Sequence, residues 1–472
     1  MIKIPAGVLE KLHSRYNPQA EAERYIEALN LNTETEYFIL IEPGLGYMVP
    51  VLQNKFKNSQ IIVLHAGSGF EKKEIHTKPS WYPGGELTVM SFLEGQIPDV
   101  EAAKIRIIEW RPAISVYGEA YLKVLSQAVE YIKRADAGRR TTAAFGKRWV
   151  KNFFRNLNLL KQPLLYRITD IPVIITGAGP GLEAALDEIL ITQEKALILA
   201  ASSSLPALEN AGIFPDLVVS TDGGLWALNH LYPCFRNINT VYSLAVSLSA
   251  ALPSQCRNLP MLLLNDGSLW QSLVLKELSL PSVIIQQRGT VTASALDLAL
   301  ILSTGNIYLC GVDLSIHDIR THARPYGFDQ IFFGSASRLM PVYSQTFFRS
   351  SKIRGGGSYD IYAAWFRNQL SILPKRIFSF GGGNAVFENK KHIISSVHGY
   401  GKKEYFFKTD NAARSPDLCK NGAAALIRYL EDARYAESLN GELAPLLFPN
   451  EKKVSAGMLQ KAIEEIAGRW GA

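Results

Sequence analysis

The sequence predicts an α/β protein. Its centre reads as a doubly wound, mostly parallel, Rossmann-like domain, with a smaller N-terminal α/β domain and a helical C-terminal region. Two observations carry this expectation. Apolar, often β-branched runs at 173–176, 196–200, 217–220, 241–244, 261–265, 283–287, 307–310 and 377–380 alternate with helix-length segments. Almost every run also ends in small or polar residues, as strands do when their carboxyl ends form a ligand rim.

The clearest local signal is PVIITGAGPGLEAALDEIL, from residue 172. Val173 to Thr176 suits a buried parallel strand. Gly177 and Gly179 permit a tight turn and a close backbone approach. Pro180 suits the first turn of a helix, and Leu182, Ala185, Leu186, Ile189 and Leu190 follow at helical spacing. Strand, glycine turn and helix N-terminus together form an anion-binding geometry. The dinucleotide fingerprint is broken, because Leu182 stands where its third glycine belongs. The next strand ends in Ser202, Ser203 and Ser204 rather than in a ribose-binding acid. Both departures argue against a nicotinamide or flavin cofactor.

The N-terminal domain is expected over 1–165. A helical stretch leads to a strand at 37–41, the Gly44-Leu45-Gly46 turn and a second strand, IIVLH. Pro50 is expected to interrupt the helix after that turn, so this half reads as a structural Rossmann-like unit, with a second ligand pocket as the alternative. The central domain is expected over 166–400 and the helical region over 401–472.

With 47% apolar residues, the 472-residue chain can bury large cores. No apolar run is long enough for a signal peptide or a spanning helix, which points to a cytoplasmic protein without a transmembrane segment. Cys234, Cys256, Cys310 and Cys419 stand far apart and read as reduced thiols. The net charge is only +7, yet residues 133–167 hold ten bases and one acid. Within them RWVKNFFRNLNLL places Trp149, Phe153, Leu157 and Leu160 on one stripe and Lys147, Lys151 and Arg155 elsewhere. This is a docked linker helix with a solvated basic face, or else a contact for a phosphorylated donor or acidic partner. No nucleic-acid recognition motif accompanies it.

At the expected carboxyl rim stand Gly177, Gly179, Pro180 and Gly181, then Ser202 and Ser203, Asp222, Asn265, Arg288 with Thr290, and Asp313. Their number points to a polar, phosphate-bearing ligand.

Four stretches in order, GAGPGL, GIFPDLVVSTD, VTASALDLALILSTGNIYLCGVDL and THARPYG, resemble the motility accessory factor (Maf) proteins, which are linked to flagellin glycosylation. The same central domain is similar to archaeal 6-hydroxymethylpterin pyrophosphokinase-like proteins, and its glycine loop looks like that of certain bacterial sialyltransferases. Gly181 stands where the family usually has Ser, and Val312 where it has Gln; Asp313 is retained. The resemblance implies a CMP-activated nonulosonic acid as donor and a Ser or Thr hydroxyl of flagellin as acceptor. Backbone N–H groups of 177–181 would then hold the CMP phosphate. Arg288, Arg320 and Arg324 would clamp carboxylate or phosphate, and His322 would act as general base because an ordinary imidazole titrates near neutrality. Asp222 and Asp313 would hold ribose hydroxyls or a divalent ion such as magnesium. Tyr326, Tyr343, Tyr359 and Gly355-Gly356-Gly357 belong to a stretch, 315–360, that reads as a lid. Two alternatives stay open: a pyrophosphokinase-type transferase using ATP and magnesium, without any Walker-type loop, and a non-catalytic flagellin assembly factor.

Overall fold

The computed structural model describes residues 11–67, 78–97, 99–236, 242–286, 288–354, 358–369, 375–381, 388–390, 407–410, 417–451 and 453–470. The chain divides into two compact units, Met1–Ala144 and Phe145–Ala472, the division falling inside a long helix, Glu119–Leu159.

The first unit is built on a four-stranded parallel sheet. Strands β1 (Tyr37–Ile41), β2 (Gln60–Leu64), β3 (Ser80–Trp81) and β4 (Ile105–Glu109) lie in the order β3-β2-β1-β4. Pro50 does not interrupt the following helix, Met48–Lys55, because it falls in the first turn, where its missing N–H has no carbonyl to meet. The turn after β1 is closed by its own chain. Leu45 N–H donates to His13 Nε2 at 2.9 Å, and a Cβ on Gly44 would lie 2.4 Å from that nitrogen. Glu42 is fully buried and accepts from Ala66 N–H at 2.7 Å, with His65 Nδ1 3.2 Å away.

The second unit carries a large sheet. Its strands are β5 (Gln162–Tyr166), β6 (Val173–Thr176), β7 (Leu197–Ala201), β8 (Leu217–Ser220), β9 (Leu244–Ser247), β10 (Pro260–Asn265), β11 (Ser282–Ile284), β12 (Ile307–Cys310), β13 (Ile377–Phe380), β14 (Asn389–Lys390) and β15 (Phe407–Thr409). The order is β14-β13-β12-β6-β7-β8-β9-β10-β5-β15, with β11 on β10, and every pairing is parallel except β15 with β5. Alternation along the strands shows why both faces are covered. Val173 and Ile175 pack against the helix Val291–Leu302, while Ile174 packs on Leu182 and Ile189 across the sheet. β9 begins three residues later than its apolar run suggested, since Leu244 to Val246 is the stretch in register with both neighbours, Ser247 pairing with β10 alone. β11 is shorter than expected, and Gln287 lies outside the described residues.

The basic segment is docked by its apolar side. Val150, Phe153, Phe154 and Leu157 are buried with Trp270 and with the helices Leu418–Glu431, Ala436–Leu447 and Ala456–Gly468. Asn152 and Asn156 are buried too, their amides donating to the carbonyls of Ser249 and Ala250 at 2.9 and 2.8 Å. Lys147, by contrast, is exposed. Lys147→Gln with Lys151→Gln is therefore expected to leave CMP binding and its salt dependence unchanged. Weaker binding with a flatter salt slope would instead make this face an electrostatic contact.

Candidate active site

The chain order places the sheet's topological switch point between β6 and β12. From β6 the strands run outward through β7, β8, β9 and β10, and β12 then returns to the other side of β6. Open α/β sheets bind ligands just beyond such a point. Both strands end in glycine turns that lock together. Gly177 N–H donates to Cys310 O and Gly179 N–H to Gly311 O, each at 2.7 Å, and Gly181 N–H donates to Asp313 Oδ2 at 3.0 Å. A Cβ on Gly177 would sit 2.4 Å from Gly311 O, and one on Gly179 would sit 2.0 Å from Asp313 Oδ2. The glycines thus serve close approach of the two turns. Three of the N–H groups expected to cradle a phosphate are spent inside the protein.

A cavity of about 250 Å³ opens over this junction. Of the residues singled out from the sequence, Gly177, Gly179, Ser202, Ser203, Asp222, Thr290, Asp313 and His322 line it. Pro180, Gly181, Asn265, Arg288, Arg320 and Arg324 do not, and each is engaged elsewhere. Pro180 opens a single 3₁₀ segment, Pro180–Ala185, before the helix Leu186–Thr192 begins. The Asn265 amide donates to Ser272 Oγ at 2.9 Å, and its carbonyl accepts from Gly267 N–H.

The three arginines carry built-in carboxylate partners, which corrects their expected role as clamps. Arg288 Nε donates to Asp297 at 2.6 Å, and Arg320 Nη1 reaches both oxygens of Glu183 at 2.9 and 3.0 Å. Arg324 pairs with Asp329, and its own N–H donates to Glu183 at 3.0 Å. Glu183 thereby ties the 320–324 loop to the glycine turn.

What remains for an anion is the start of the helix Val291–Leu302. Thr290 caps it: its Oγ1 accepts from Thr292 N–H at 3.2 Å and lies 2.7 Å from Thr292 Oγ1. Thr290, Val291 and Thr292 all line the cavity. First-turn amides, the helix dipole and two hydroxyls together favour negative charge there.

Two histidines share the cavity. His322 Nδ1 lies 2.8 Å from Thr321 Oγ1, and its ring stacks on Tyr326 with centroids 4.1 Å apart. His230 ends the 3₁₀ turn Leu225–His230 and lies 5.1 Å from the same tyrosine ring; its Nδ1 is buried against the Gly327 backbone. Burial holds both imidazoles down to about 4, helped at His322 by His230 and Arg324 and opposed at His230 by Asp222. His322 therefore does not titrate near neutrality, as an exposed imidazole would; it is neutral throughout the physiological range. Nothing in the spacing of LNHLYP marks His230 out, and only the fold brings it to the site.

These depressed values fix a sign for acid stability. Unfolded histidines take protons near pH 6.5, whereas the folded pair waits until about 4. Between those limits the unfolded chain binds more protons, so stability is complete above about pH 6.5 and falls as the pH falls towards 4. The loss is at most ~1.4 kcal/mol per pH unit for each histidine. The urea midpoint is expected to drop over that window, with a shallower drop in a His230→Asn, His322→Asn double variant. Equal slopes in parent and variant would contradict the assignment.

Tyr326, Tyr359 and Tyr362 complete the wall. Burial raises the Tyr326 phenol and pushes Tyr359 up to about 12, so both remain protonated donors. The Tyr359 hydroxyl donates to Thr321 O at 3.2 Å. Burial likewise raises the Asp313 carboxyl, against the opposing Gly181 N–H. Asp222 Oδ1 accepts from Gly224 N–H at 2.7 Å and shapes its own turn. Among the described residues no group of three or more His, Cys, Asp or Glu is placed to hold a metal ion. The glycines 355–357 of the expected lid lie outside the described residues, and Tyr343 is not part of the cavity wall.

Residues 147–318, which carry most of this site, match the family model described as 6-hydroxymethylpterin diphosphokinase MptE-like. This segment is thus similar to MptE-like domains. Two proteins of Treponema pallidum (strain Nichols), each named only as an uncharacterized protein, are similar in sequence. One is 27% identical over 405 residues, covering 84% of this chain and 86% of its own length. The other is 31% identical over 116 residues, covering 24% of this chain and 54% of its own. Among solved structures, a Maf glycosyltransferase from Magnetospirillum magneticum AMB-1 shares the fold, with a TM-score of 0.51 at 12% identity, over 100% of this chain and 79% of that one. The MptE-like domain and this shared fold bear out the resemblance carried by the four ordered stretches. No helix among the described residues is long and apolar enough to cross a membrane.

Proposed function

We propose that the protein is a glycosyltransferase that moves a nonulosonic sugar from a CMP-activated donor to a Ser or Thr hydroxyl of flagellin in the cytoplasm. The observation that carries this reading is the meeting of two neutral imidazoles and a hydroxyl-capped helix N-terminus in one cavity at the switch point of the MptE-like domain. The CMP phosphate sits at Thr290–Thr292. The bond between its oxygen and the anomeric carbon breaks, and CMP leaves with the electron pair. The protonated Tyr326 hydroxyl lies in the same wall and donates to the leaving phosphate as its charge grows. The acceptor oxygen bonds to the anomeric carbon, and its proton passes to the neutral imidazole of His322. Asp313 holds the two glycine turns together through Gly181 and offers its other oxygen to ribose. The low imidazole values add a signature: turnover is flat from pH 8 to about 5 and falls only as His322 takes a proton near 4.

The family description of the MptE-like domain favours a second reading, diphosphate transfer from ATP with magnesium. Calorimetry separates the two. CMP is expected to bind more tightly than ATP with magnesium, and the reverse order would replace the glycosyltransferase reading by the second. CMP binding with no transfer to flagellin would leave a nucleotide-binding assembly factor.

A further inference from the structure

The cavity wall continues onto the outer surface. His322 stacks on Tyr326, and His230 and Tyr326 both approach Phe328, at 5.1 and 5.5 Å. Phe328 in turn lies 6.2 Å from Trp226 and 6.0 Å from Phe332. Trp226 is 67% exposed, and the neighbouring Leu225 equally so. Beyond Phe332, on the helices Asp329–Gly334 and Val342–Arg354 and the turn between them, Phe333 and Phe348 are exposed and Leu339 is 93% exposed. Single exposed apolar residues are ordinary, but rings in contact from exposed Trp226 to the cavity wall, with further exposed apolar residues on the adjoining helices and turn, mark a contact surface.

The exposed charge on this apron is basic. Arg338 and Arg349 are exposed, the Arg349 guanidinium lies 3.2 Å from the centre of the Phe332 ring, and the acid of these helices, Asp329, is buried and paired with Arg324. Apolar rings with interspersed cations complement a partner that is apolar on one side and acidic beside it.

We infer that this apron docks an acidic, amphipathic segment of a protein acceptor and so brings the acceptor hydroxyl to the cavity. The inference rests on the proposed transferase function and names the surface that would select its acceptor. The patch borders the cavity directly, which is where a protein hydroxyl would have to enter.

The test uses the full chain and recombinant flagellin monomer, with binding read by fluorescence anisotropy. A Leu339→Glu, Phe348→Glu double variant is expected to raise the dissociation constant at least tenfold. Arg338→Glu is expected to weaken binding and flatten its salt dependence. Unchanged CMP binding by calorimetry shows that both variants are folded. The inference fails if the parent does not bind flagellin or if the variants bind as tightly. It also fails if the same residues instead hold the protein on phosphatidylglycerol vesicles. A parent that binds CMP but not flagellin loses this inference alone. A parent that binds flagellin through the apron but does not bind CMP overturns the donor reading and leaves the docking surface standing.

Discussion

Gly179→Val is expected to abolish CMP binding and to lower the stability of the second unit. Any Cβ at this position would lie 2.0 Å from Asp313 Oδ2 and 2.7 Å from Gly311 O, far inside van der Waals contact. Neither neighbour is a flexible chain end, because Asp313 is fixed by Gly181 N–H and Gly311 is backbone at φ +63°. The β6 and β12 turns must therefore separate, and with them the cavity floor. Overpacking at a site this rigid costs typically 1–3 kcal/mol or more, readable as a lower denaturant midpoint beside a flat calorimetric trace with CMP. A Gly179→Val protein with parental stability and CMP affinity would remove the interlocked turns from the account.

His322→Ala is expected to lose roughly 10²- to 10⁴-fold in turnover, the usual contribution of a positioned general base, with little change in donor binding. The imidazole is well placed for this because its Nδ1 is tied to Thr321 and its ring is fixed against Tyr326. Its neutrality keeps it in the proton-accepting form at every physiological pH. Steady-state kinetics with CMP-nonulosonate and flagellin would show the fall in kcat. Full activity of the variant would shift the proton to His230, the other neutral imidazole in the cavity.

The sheet was legible because buried parallel strands announce themselves as short β-branched runs, and β6, β8, β12 and β13 lie where those runs lie. The glycine turn was legible as well, but its purpose was not. Its hydrogen-bond partners, Gly311 and Asp313, are about 130 residues away in sequence, so nothing local could show that its amides were already engaged. The same distance hid the carboxylate partner of Arg320, since Glu183 reads locally as a solvated residue on an amphipathic face. His230 carries no spacing signal at all. Its place in the site follows from the turn after β8 meeting the loop after β12. The depressed imidazoles are a product of burial, which composition does not encode. What the sequence did carry was the set of small polar residues that meet around one cavity, Ser202, Asp222, Thr290 and Asp313.

The most direct measurement is the intact mass of recombinant flagellin after incubation with the purified protein and CMP-nonulosonate, with and without a chelator. The account predicts mass additions of whole nonulosonic residues, together with stoichiometric release of CMP, lost in His322→Ala and retained in Lys147→Gln with Lys151→Gln. Flagellin of unchanged mass after incubation with protein that binds CMP would contradict it.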